Sequence, residues 1–204
     1  GILSCALASH REAYRRHWNS RGITFAGILS GYLSSPEAAY QTAEFVDTFH
    51  HPGVTYLCDP VLGDQGRVYK GFTDASIEAM RSLAEKADFL TPNLTEFCLL
   101  TGTEMDAIMN REKEDKDALF AILTQKAAAF SQTDLVITGI PLKGEKSGKE
   151  ICNLIISKGS SHPVIFPHLG GSYSGTGDIF AAVLLAARLH NEGLVPRVTK
   201  AGQF

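Results

Sequence analysis

The sequence predicts an α/β fold with a mainly parallel central sheet. Short apolar runs that are typical of buried strands alternate with longer amphipathic runs that are typical of helices, and polar residues follow several of the strand-like runs directly. This alternation favours a parallel sheet, because each helix returns the chain to the edge where the previous strand began. The 204 residues show no break in composition, so we expect a single domain over residues 1–204.

The strand-like runs are 26–30, 54–58, 88–91, 135–138, 151–157 and 164–166. The helix-like runs are 34–49, 73–86, 93–100, 117–130 and 179–189. Ser34 and Glu37 stand at capping-box spacing with Pro36 between them, which predicts a helix start. Gly102 is expected to end the helix of 93–100, and the glycines of 63–66 predict a loop. The polar turn at 143–149 between two strand-like runs indicates a hairpin.

Composition excludes several classes of protein. Apolar residues make up 44% and charged residues 20% of the chain, the net charge is −3, and no Lys/Arg run suggests a nucleic-acid or membrane surface. No apolar run approaches the ~20 residues of a membrane span. The four cysteines form no C-x-x-C pair, so we expect free, buried thiols and a reducing, cytoplasmic location.

The sharpest motif is the glycine-rich run of 170–178, Gly-Gly-Ser-Tyr-Ser-Gly-Thr-Gly-Asp, which leads into an apolar helix. Glycines allow close backbone approach to a ligand, and a helix N-terminus adds N–H donors and a positive dipole end. Asp178 would stand in the first turn, where it can take a proton from a hydroxyl beside a phosphate. Spacing alone leaves open whether Asp178 is such a base or a plain helix cap.

Two other motifs follow strand ends, where ligands bind in parallel sheets. Asn93 and Glu96, three residues apart, could hold a magnesium-bound water and a phosphate, although spacing alone favours a capping box. Asp59 and Asp64, in the run Asp-Pro-Val-Leu-Gly-Asp, form either a plain turn or an acidic pair that needs a cation beside a phosphate.

The order and the residue sequences of these motifs resemble those of the vitamin-kinase branch of the ribokinase superfamily, and most closely those of the pyridoxal kinases. The matching stretches are 59–64, 91–96, 136–139 and 170–178, with Ser-Gly-Tyr-Leu at 30–33 resembling the segment that lines the pyridoxal site. The resemblance covers about residues 11–189. It implies a three-layer α/β/α, ribokinase-like fold and ATP-dependent phosphorylation of the 5'-hydroxyl of pyridoxal, pyridoxine or pyridoxamine.

The resemblance also implies roles for individual residues. Asp178 would be the base, and Gly175, Thr176 and Gly177 would form the anion hole for the γ-phosphoryl group. The residues implied to organise magnesium and the ATP phosphates are Asp59, Asn93 and Glu96, with Asp59 and Glu96 as metal ligands. The further binding residues are Asp64, Thr138 and Gly139 along the phosphates, Tyr69 in a flap over ATP, Tyr32 on the pyridine ring, and Ser9 and His10 as weaker pyridoxal-site candidates.

The resemblance further implies a homodimer, ATP and Mg²⁺ as cofactors, and room for a monovalent cation such as K⁺. Residues 6–10, which include Ser9 and His10, resemble the end of the family's N-terminal strand. Members of the family carry a long segment after that strand and a further C-terminal segment, so we expect the domain to lack N-terminal and C-terminal family segments. Two alternatives stay open: a hydroxymethylpyrimidine or sugar kinase of the same superfamily, and a catalytically inactive, truncated relative that binds nucleotide.

Overall fold

A six-stranded sheet organises the computed structural model, which describes residues 7–106, 108, 116–143, 149–168, 170 and 175–203. The strands are β1 (Gly27–Ser30), β2 (Thr55–Cys58), β3 (Gly63–Asp64), β4 (Arg67–Val68), β5 (Phe89–Leu90), β6 (Asp134–Lys143), β7 (Lys149–Ser157) and β8 (Ser160–Pro167). The helices are α1 (Leu7–Ser20), α2 (Pro36–Phe49), α3 (Asp74–Ala84), α4 (Leu94–Thr101), α5 (Lys116–Lys126), which runs into a 3₁₀ turn at Ala127–Phe130, α6 (Thr176–Leu189) and α7 (Leu194–Ala201).

The strand order across the large sheet is β1-β2-β5-β6-β7-β8. The pairs β1–β2, β2–β5 and β5–β6 are parallel, whereas β6–β7 and β7–β8 are antiparallel. The predicted α/β class with a mainly parallel central sheet is therefore confirmed, as is the hairpin between β6 and β7, whose turn at 144–148 lies outside the described residues. The short pair β3–β4 forms a separate antiparallel hairpin.

Two apolar cores, one on each face of the sheet, produce the three layers. Tyr56 and Cys58 of β2 belong to a core shared with α2, α3, α4 and α5, whereas Leu57 between them packs into a second core with α6 and α7. This alternation is the two-residue period of a strand covered on both faces. It fixes the register of β2, and thereby the position of the residue that follows it at the carboxyl end.

Two local predictions were wrong. The N-cap of α2 is Ser35, whose hydroxyl accepts from the backbone N–H of Ala38 at 3.2 Å, so Ser34 and Glu37 form no capping box. The predicted loop of 63–66 is the tight hairpin β3–β4, and its turn residues Gln65 and Gly66 have φ of 50° and 75°. Positive φ at both turn positions is typical of two-residue hairpins, because it matches the twist of the strands.

Strand β6 is longer than predicted. It continues past Thr138 through an irregularity between Ile137 and Ile140, and it carries Pro141 within its paired length. Beyond Thr138 the strand pairs with β7 alone, and a proline is tolerated where one side of a strand has no ladder to complete.

The N-terminal end of the described chain is helical, where the resemblance implied a strand end at Ser9 and His10. Helix α1 packs against α2 through Trp18, whose ring centroid lies 5.7 Å from Phe25 and 6.1 Å from Phe45. None of the helices in the described part of the chain combines the length and apolar character that a membrane span needs.

Candidate active site

A cavity of about 490 Å³ opens at the carboxyl ends of the parallel strands, beside the N-terminus of α6. The sequence-predicted residues that line it are Tyr32, Asp59, Asp64, Tyr69, Asn93, Glu96, Thr138, Gly139, Gly175, Thr176, Gly177 and Asp178. They converge because parallel strands place the residues that follow them at one edge of the sheet.

Asp59 follows β2 and is buried at the floor of the cavity. The hydroxyl of Thr91 donates a hydrogen bond to Asp59 Oδ1 at 3.0 Å. Burial raises the pKa of Asp59 to about 6 and the negative charge of Asp178 adds to the rise, while the hydrogen bond from Thr91 opposes it. A cation placed between these two carboxylates would relieve that repulsion.

Asp178 is the third residue of α6 and is open to the cavity. The N-cap, Gly175, has a φ of 89°, a conformation that glycine adopts without strain. A Cβ atom added to Gly177 would lie 3.8 Å from Asp59 Oδ2, and one added to Gly31 would lie 3.7 Å from Asp178 Oδ1. The first turn of α6 thus sits directly against Asp59, with its positive dipole end toward the cavity. Residues 171–174 of the glycine-rich run lie outside the described residues.

Asn93 and Glu96 form the capping box of α4. Asn93 Oδ1 accepts from the backbone N–H of Glu96 at 3.0 Å, and Glu96 Oε2 accepts from the backbone N–H of Asn93 at 2.8 Å. The capping interpretation of this spacing is confirmed. The same side chains also reach the loop after β2: Glu96 Oε1 accepts from the N–H of Leu62 at 3.1 Å, and Asn93 Nδ2 donates to the carbonyl of Gly63 at 2.8 Å.

The Glu96 carboxyl is almost fully buried at 4% exposure. Burial raises its pKa to about 8; the backbone hydrogen bonds from Asn93 and Leu62 oppose that rise, and the charge of Asp59 adds to it. Each carboxylate oxygen of Glu96 already accepts one backbone N–H.

The hairpin β3–β4 forms one wall of the cavity. A Cβ atom on Gly63 would lie 2.3 Å from the carbonyl oxygen of Arg67, so only glycine fits there. The backbone N–H of Gly66 donates to Thr95 Oγ1 at 2.9 Å, which attaches the hairpin to α4. Tyr69 follows at the rim, where partial burial first, and then the charge of Asp64, raises its pKa.

The irregularity in β6 brings Thr138 and Gly139 to the cavity. The backbone N–H of Thr138 donates to the carbonyl of Pro92 at 2.8 Å. Gly139 has a φ of 70°, and its N–H donates to Asn153 Oδ1 at 3.1 Å. Sequence analysis missed Asn153, although a lone amide inside the apolar run of 151–157 was a usable signal, since a buried amide needs partners.

The far end of the cavity is apolar and was also missed. Ile151, Phe166, Ala201 and Gly202 line it. The Phe166 ring lies against Gly202, where an added Cβ atom would fall 2.4 Å from ring atom Cζ. No local sequence pattern around these four residues predicts a site, because they are brought together only by antiparallel strand pairing and by the packing of α7.

The remaining candidates divide into two groups. Tyr32 lies in the cavity wall at 62% exposure, with its ring 5.7 Å from that of Phe72 in an edge-on arrangement. His10 is exposed on α1 and is not part of the cavity lining, and Ser9 belongs to the same helix. The structure therefore does not bring His10 to the site, and the strand that would have carried both residues there is a helix.

Known proteins share this fold. The chain matches the phosphomethylpyrimidine kinase family over residues 19–204. It is 26% identical to the pyridoxal kinase of Dictyostelium discoideum over 176 residues, which cover 79% of this chain and 53% of that protein. The pyridoxal kinase of Lactobacillus plantarum superposes with a TM-score of 0.80 at 26% identity, covering 100% of this chain and 69% of the other.

A third relative was solved with ligands. The pyridoxal kinase of Leishmania donovani, in complex with ADP and pyridoxamine, superposes with a TM-score of 0.68 at 26% identity, covering 96% of this chain and 64% of the other. The fold and site define a ribokinase-like kinase architecture, with strand-end carboxylates facing a helix N-terminus. Within it, the chain belongs to the phosphomethylpyrimidine kinase family. It spans about half the length of the curated relatives it matches first.

Proposed function

We propose that the protein transfers the γ-phosphoryl group of ATP to the 5'-hydroxyl of pyridoxal, pyridoxine or pyridoxamine. The observation that carries the proposal is the placement of Asp178 in the first turn of α6, against Asp59 and within one cavity. Phosphoryl transfer needs a base for the attacking hydroxyl and fixed positive charge around the moving group, and little covalent chemistry from the protein.

The acceptor would bind on the Tyr32 side of Asp178. Tyr32 presents an exposed aromatic ring to the cavity, which suits stacking on a pyridine ring. Asp178 Oδ1 lies beside Gly31, so a hydroxymethyl group on that ring could reach the carboxylate. Asp178 would accept the hydroxyl proton while the N–H donors around Gly177 hold the developing charge on the phosphoryl oxygens.

Residues for the phosphates and a divalent cation are present in the same cavity. Asp59 Oδ2 faces the first turn of α6, and the repulsion between Asp59 and Asp178 is what a bound cation would remove. When bound, Mg²⁺ would neutralise charge on the phosphates. We assign Asp59 as its protein ligand and Glu96 as a partner through water. Asp64, Asn93 and Thr138 would line the phosphate chain.

The nucleobase would occupy the apolar end of the cavity. Ile151, Phe166 and Ala201 offer hydrophobic surface there, and a Cβ atom added to Gly139 would lie 4.0 Å from Ile151 Cδ1. Tyr69, at the rim directly after the hairpin β3–β4, would cover the nucleotide from the other side. The ADP complex of the Leishmania donovani relative supports a nucleotide in this fold.

The homodimer, the room for a monovalent cation such as K⁺ and the cytoplasmic location belong to the same proposal. Three buried free cysteines, Cys58, Cys98 and Cys152, support a reducing compartment. Hydroxymethylpyrimidine kinase activity is the second candidate, and the match to the phosphomethylpyrimidine kinase family, which is named for a related pyrimidine, favours it. The two acceptors differ in their heteroaromatic ring. Tyr32 lines the cavity with its aromatic ring and could contact either acceptor there.

The deciding experiment is a coupled ADP-release assay with ATP and Mg²⁺, in which pyridoxal, pyridoxine, pyridoxamine, hydroxymethylpyrimidine and ribose are compared. Turnover on a B6 vitamer that exceeds turnover on the other acceptors supports the proposal, and turnover confined to hydroxymethylpyrimidine or ribose replaces it. No turnover on any acceptor, combined with ATP binding by calorimetry, would make the protein an inactive nucleotide-binding relative. The Asp178→Asn variant serves as the background control.

A further inference from the structure

A second cavity, of about 650 Å³, opens at the amino-terminal end of the sheet. Its floor contains Thr55, Phe89 and Asp134, the first residues of β2, β5 and β6. The proposed active site lies at the opposite ends of the same strands. With β2 four residues long, the two cavities are separated by roughly 13 Å of strand at ~3.3 Å per residue.

Arg197 of α7 is the unusual residue of this cavity. It is 7% exposed, and its Nε and Nη1 atoms are buried without a hydrogen-bond partner in the described part of the chain. Its guanidinium carbon lies 5.1 Å from the centroid of the Phe89 ring, an attraction that offsets only part of the cost of burial. Buried guanidinium groups are normally paired, because an unpaired buried charge is strongly unfavourable.

Two further cations line the cavity, Arg188 at the end of α6 and Lys158 in the β7–β8 turn. Burial lowers the pKa of Arg197, and the positive charge of Arg188 lowers it further, so the two guanidinium groups repel each other. This local excess of positive charge stands out in a chain whose net charge is −3.

The acidic residues of the cavity are already engaged elsewhere. Asp88 Oδ2 accepts from the backbone N–H of Tyr56 at 2.8 Å and contacts His50 Nε2 at 2.9 Å. Asp134 Oδ1 accepts from the hydroxyl of Ser157. The charges of Asp134 and Glu192 favour the charged form of Arg197, but neither residue forms an ion pair with it among the described residues, and Glu192 is paired with Lys200 at 3.0 Å. The cavity lining therefore carries three cationic side chains, Lys158, Arg188 and Arg197, against the two carboxylates of Asp88 and Asp134, with exposed His51 at its rim.

We propose that this cavity binds a small oxyanion, a phosphate or carboxylate group, with Arg197 as its anchor and Arg188 and Lys158 as additional donors. The planar guanidinium group suits such a ligand, because it can donate two parallel hydrogen bonds to two oxygens. The site is independent of the proposed kinase chemistry, since it shares no lining residue with the first cavity.

The test is a titration of the whole chain with inorganic phosphate, followed by amide NMR at Gly53 and Lys158 of this cavity and at Gly177 of the other. Sodium chloride at matched ionic strength corrects for screening, and sodium acetate separates carboxylate from phosphate recognition. We expect saturable shifts at Gly53 and Lys158 with at least one of the two oxyanions.

Variants locate that binding. Arg197→Met keeps the aliphatic stem and should weaken binding at Gly53 and Lys158 by roughly tenfold or more, the scale of one lost charged hydrogen bond, while any response at Gly177 stays unchanged. Arg16→Gln, an exposed arginine on α1, should behave like the parent chain. Arg188→Gln provides a second test that leaves the buried Arg197 in place. Shifts that do not saturate, that chloride reproduces, or that survive in Arg197→Met and Arg188→Gln would overturn the proposal.

Discussion

Glu96 Oε1 accepts a hydrogen bond from the backbone N–H of Leu62 at 3.1 Å, although the two residues are 34 positions apart. The carboxylate that caps α4 therefore also fixes the loop that follows β2, which begins with Asp59. Through this contact, one buried side chain sets the distance between two walls of the candidate active site.

Removal of this carboxylate should loosen both walls. We expect Glu96→Ala to lower the free energy of unfolding by about 1–3 kcal/mol, because two buried N–H groups lose their acceptor. Glu96→Gln keeps one acceptor oxygen, so its free energy of unfolding should lie between those of Glu96→Ala and the parent chain. Urea unfolding measures the effect, with exposed Glu37→Gln as the control. A loss in Glu96→Ala no larger than that of the control would contradict the bridging role.

Asp178 is expected to act in the chemical step. Asp178→Asn should lower kcat by on the order of 10²–10⁴, the usual contribution of a general base, while ATP affinity stays within a few-fold. Steady-state kinetics on the best B6 vitamer and ATP calorimetry give the two readouts. A variant with parental kcat would remove Asp178 from the base role.

Stability should fall as pH rises, opposite to the usual behaviour of carboxylates. The pKa of Asp59 is raised to about 6 and that of Glu96 to about 8, so between about pH 4 and these values the folded state holds protons that the unfolded state has released. The folded state is then progressively disfavoured as pH increases through this window. Urea unfolding at pH 5, 6.5 and 8 should give a decreasing free energy of unfolding. In Glu96→Gln this free energy should change less between pH 6.5 and pH 8 than in the parent chain. If the free energy of unfolding of the parent chain instead rises with pH across this window, burial does not dominate these two pKa values.

Gly202 should be intolerant of any side chain. In Gly202→Ala the new Cβ atom would lie 2.4 Å from Phe166 Cζ, so the ring must move, at a cost of about 1–3 kcal/mol. Because Phe166 lines the proposed nucleobase end, KM for ATP should rise more than kcat falls. Gly193→Ala is the matched control, since its Cβ atom would make an ordinary 3.5 Å contact with Pro196. Equal KM values in the two variants would remove Phe166 from nucleotide binding.

Asn153 is expected to hold the irregularity of β6. Asn153→Leu leaves the N–H of Gly139 without its acceptor and should cost about 1 kcal/mol or more, whereas Asn153→Asp retains an acceptor oxygen and should recover part of that loss. Amide hydrogen exchange at Gly139 reports directly on this bond. Equal protection in Asn153→Leu and the parent chain would show that the bond does not hold this segment.

Much of the fold was predictable because its signals are local. The strand-then-helix alternation and the polar residues at strand ends depend on neighbours in sequence, and they indicated the parallel half of the sheet and the cavity at its carboxyl edge. The capping box of Asn93 and Glu96 was also foreseen, since its two partners are three residues apart.

The missed features depend on contacts between distant segments. No local pattern pairs Phe166 with Gly202, or directs the Asn153 amide at Gly139, because these contacts arise only when β7, β8 and α7 come together. The shift of the α2 cap from Ser34 to Ser35 has a local cause: Pro36 occupies the first helical position, so the preceding residue becomes the cap.

The two halves of the sheet contribute different parts of the candidate active site, so substitutions in each half have different consequences. The carboxylates and the helix N-terminus of the proposed chemistry belong to the parallel strands and α6, whereas the apolar end of the cavity is built largely by the antiparallel strands β7 and β8 together with α7. Substitutions in this second group can alter which nucleotide fits without displacing Asp59 or Asp178. In the proposed kinase, a change of nucleotide preference would therefore not require a change in the residues of the transfer step.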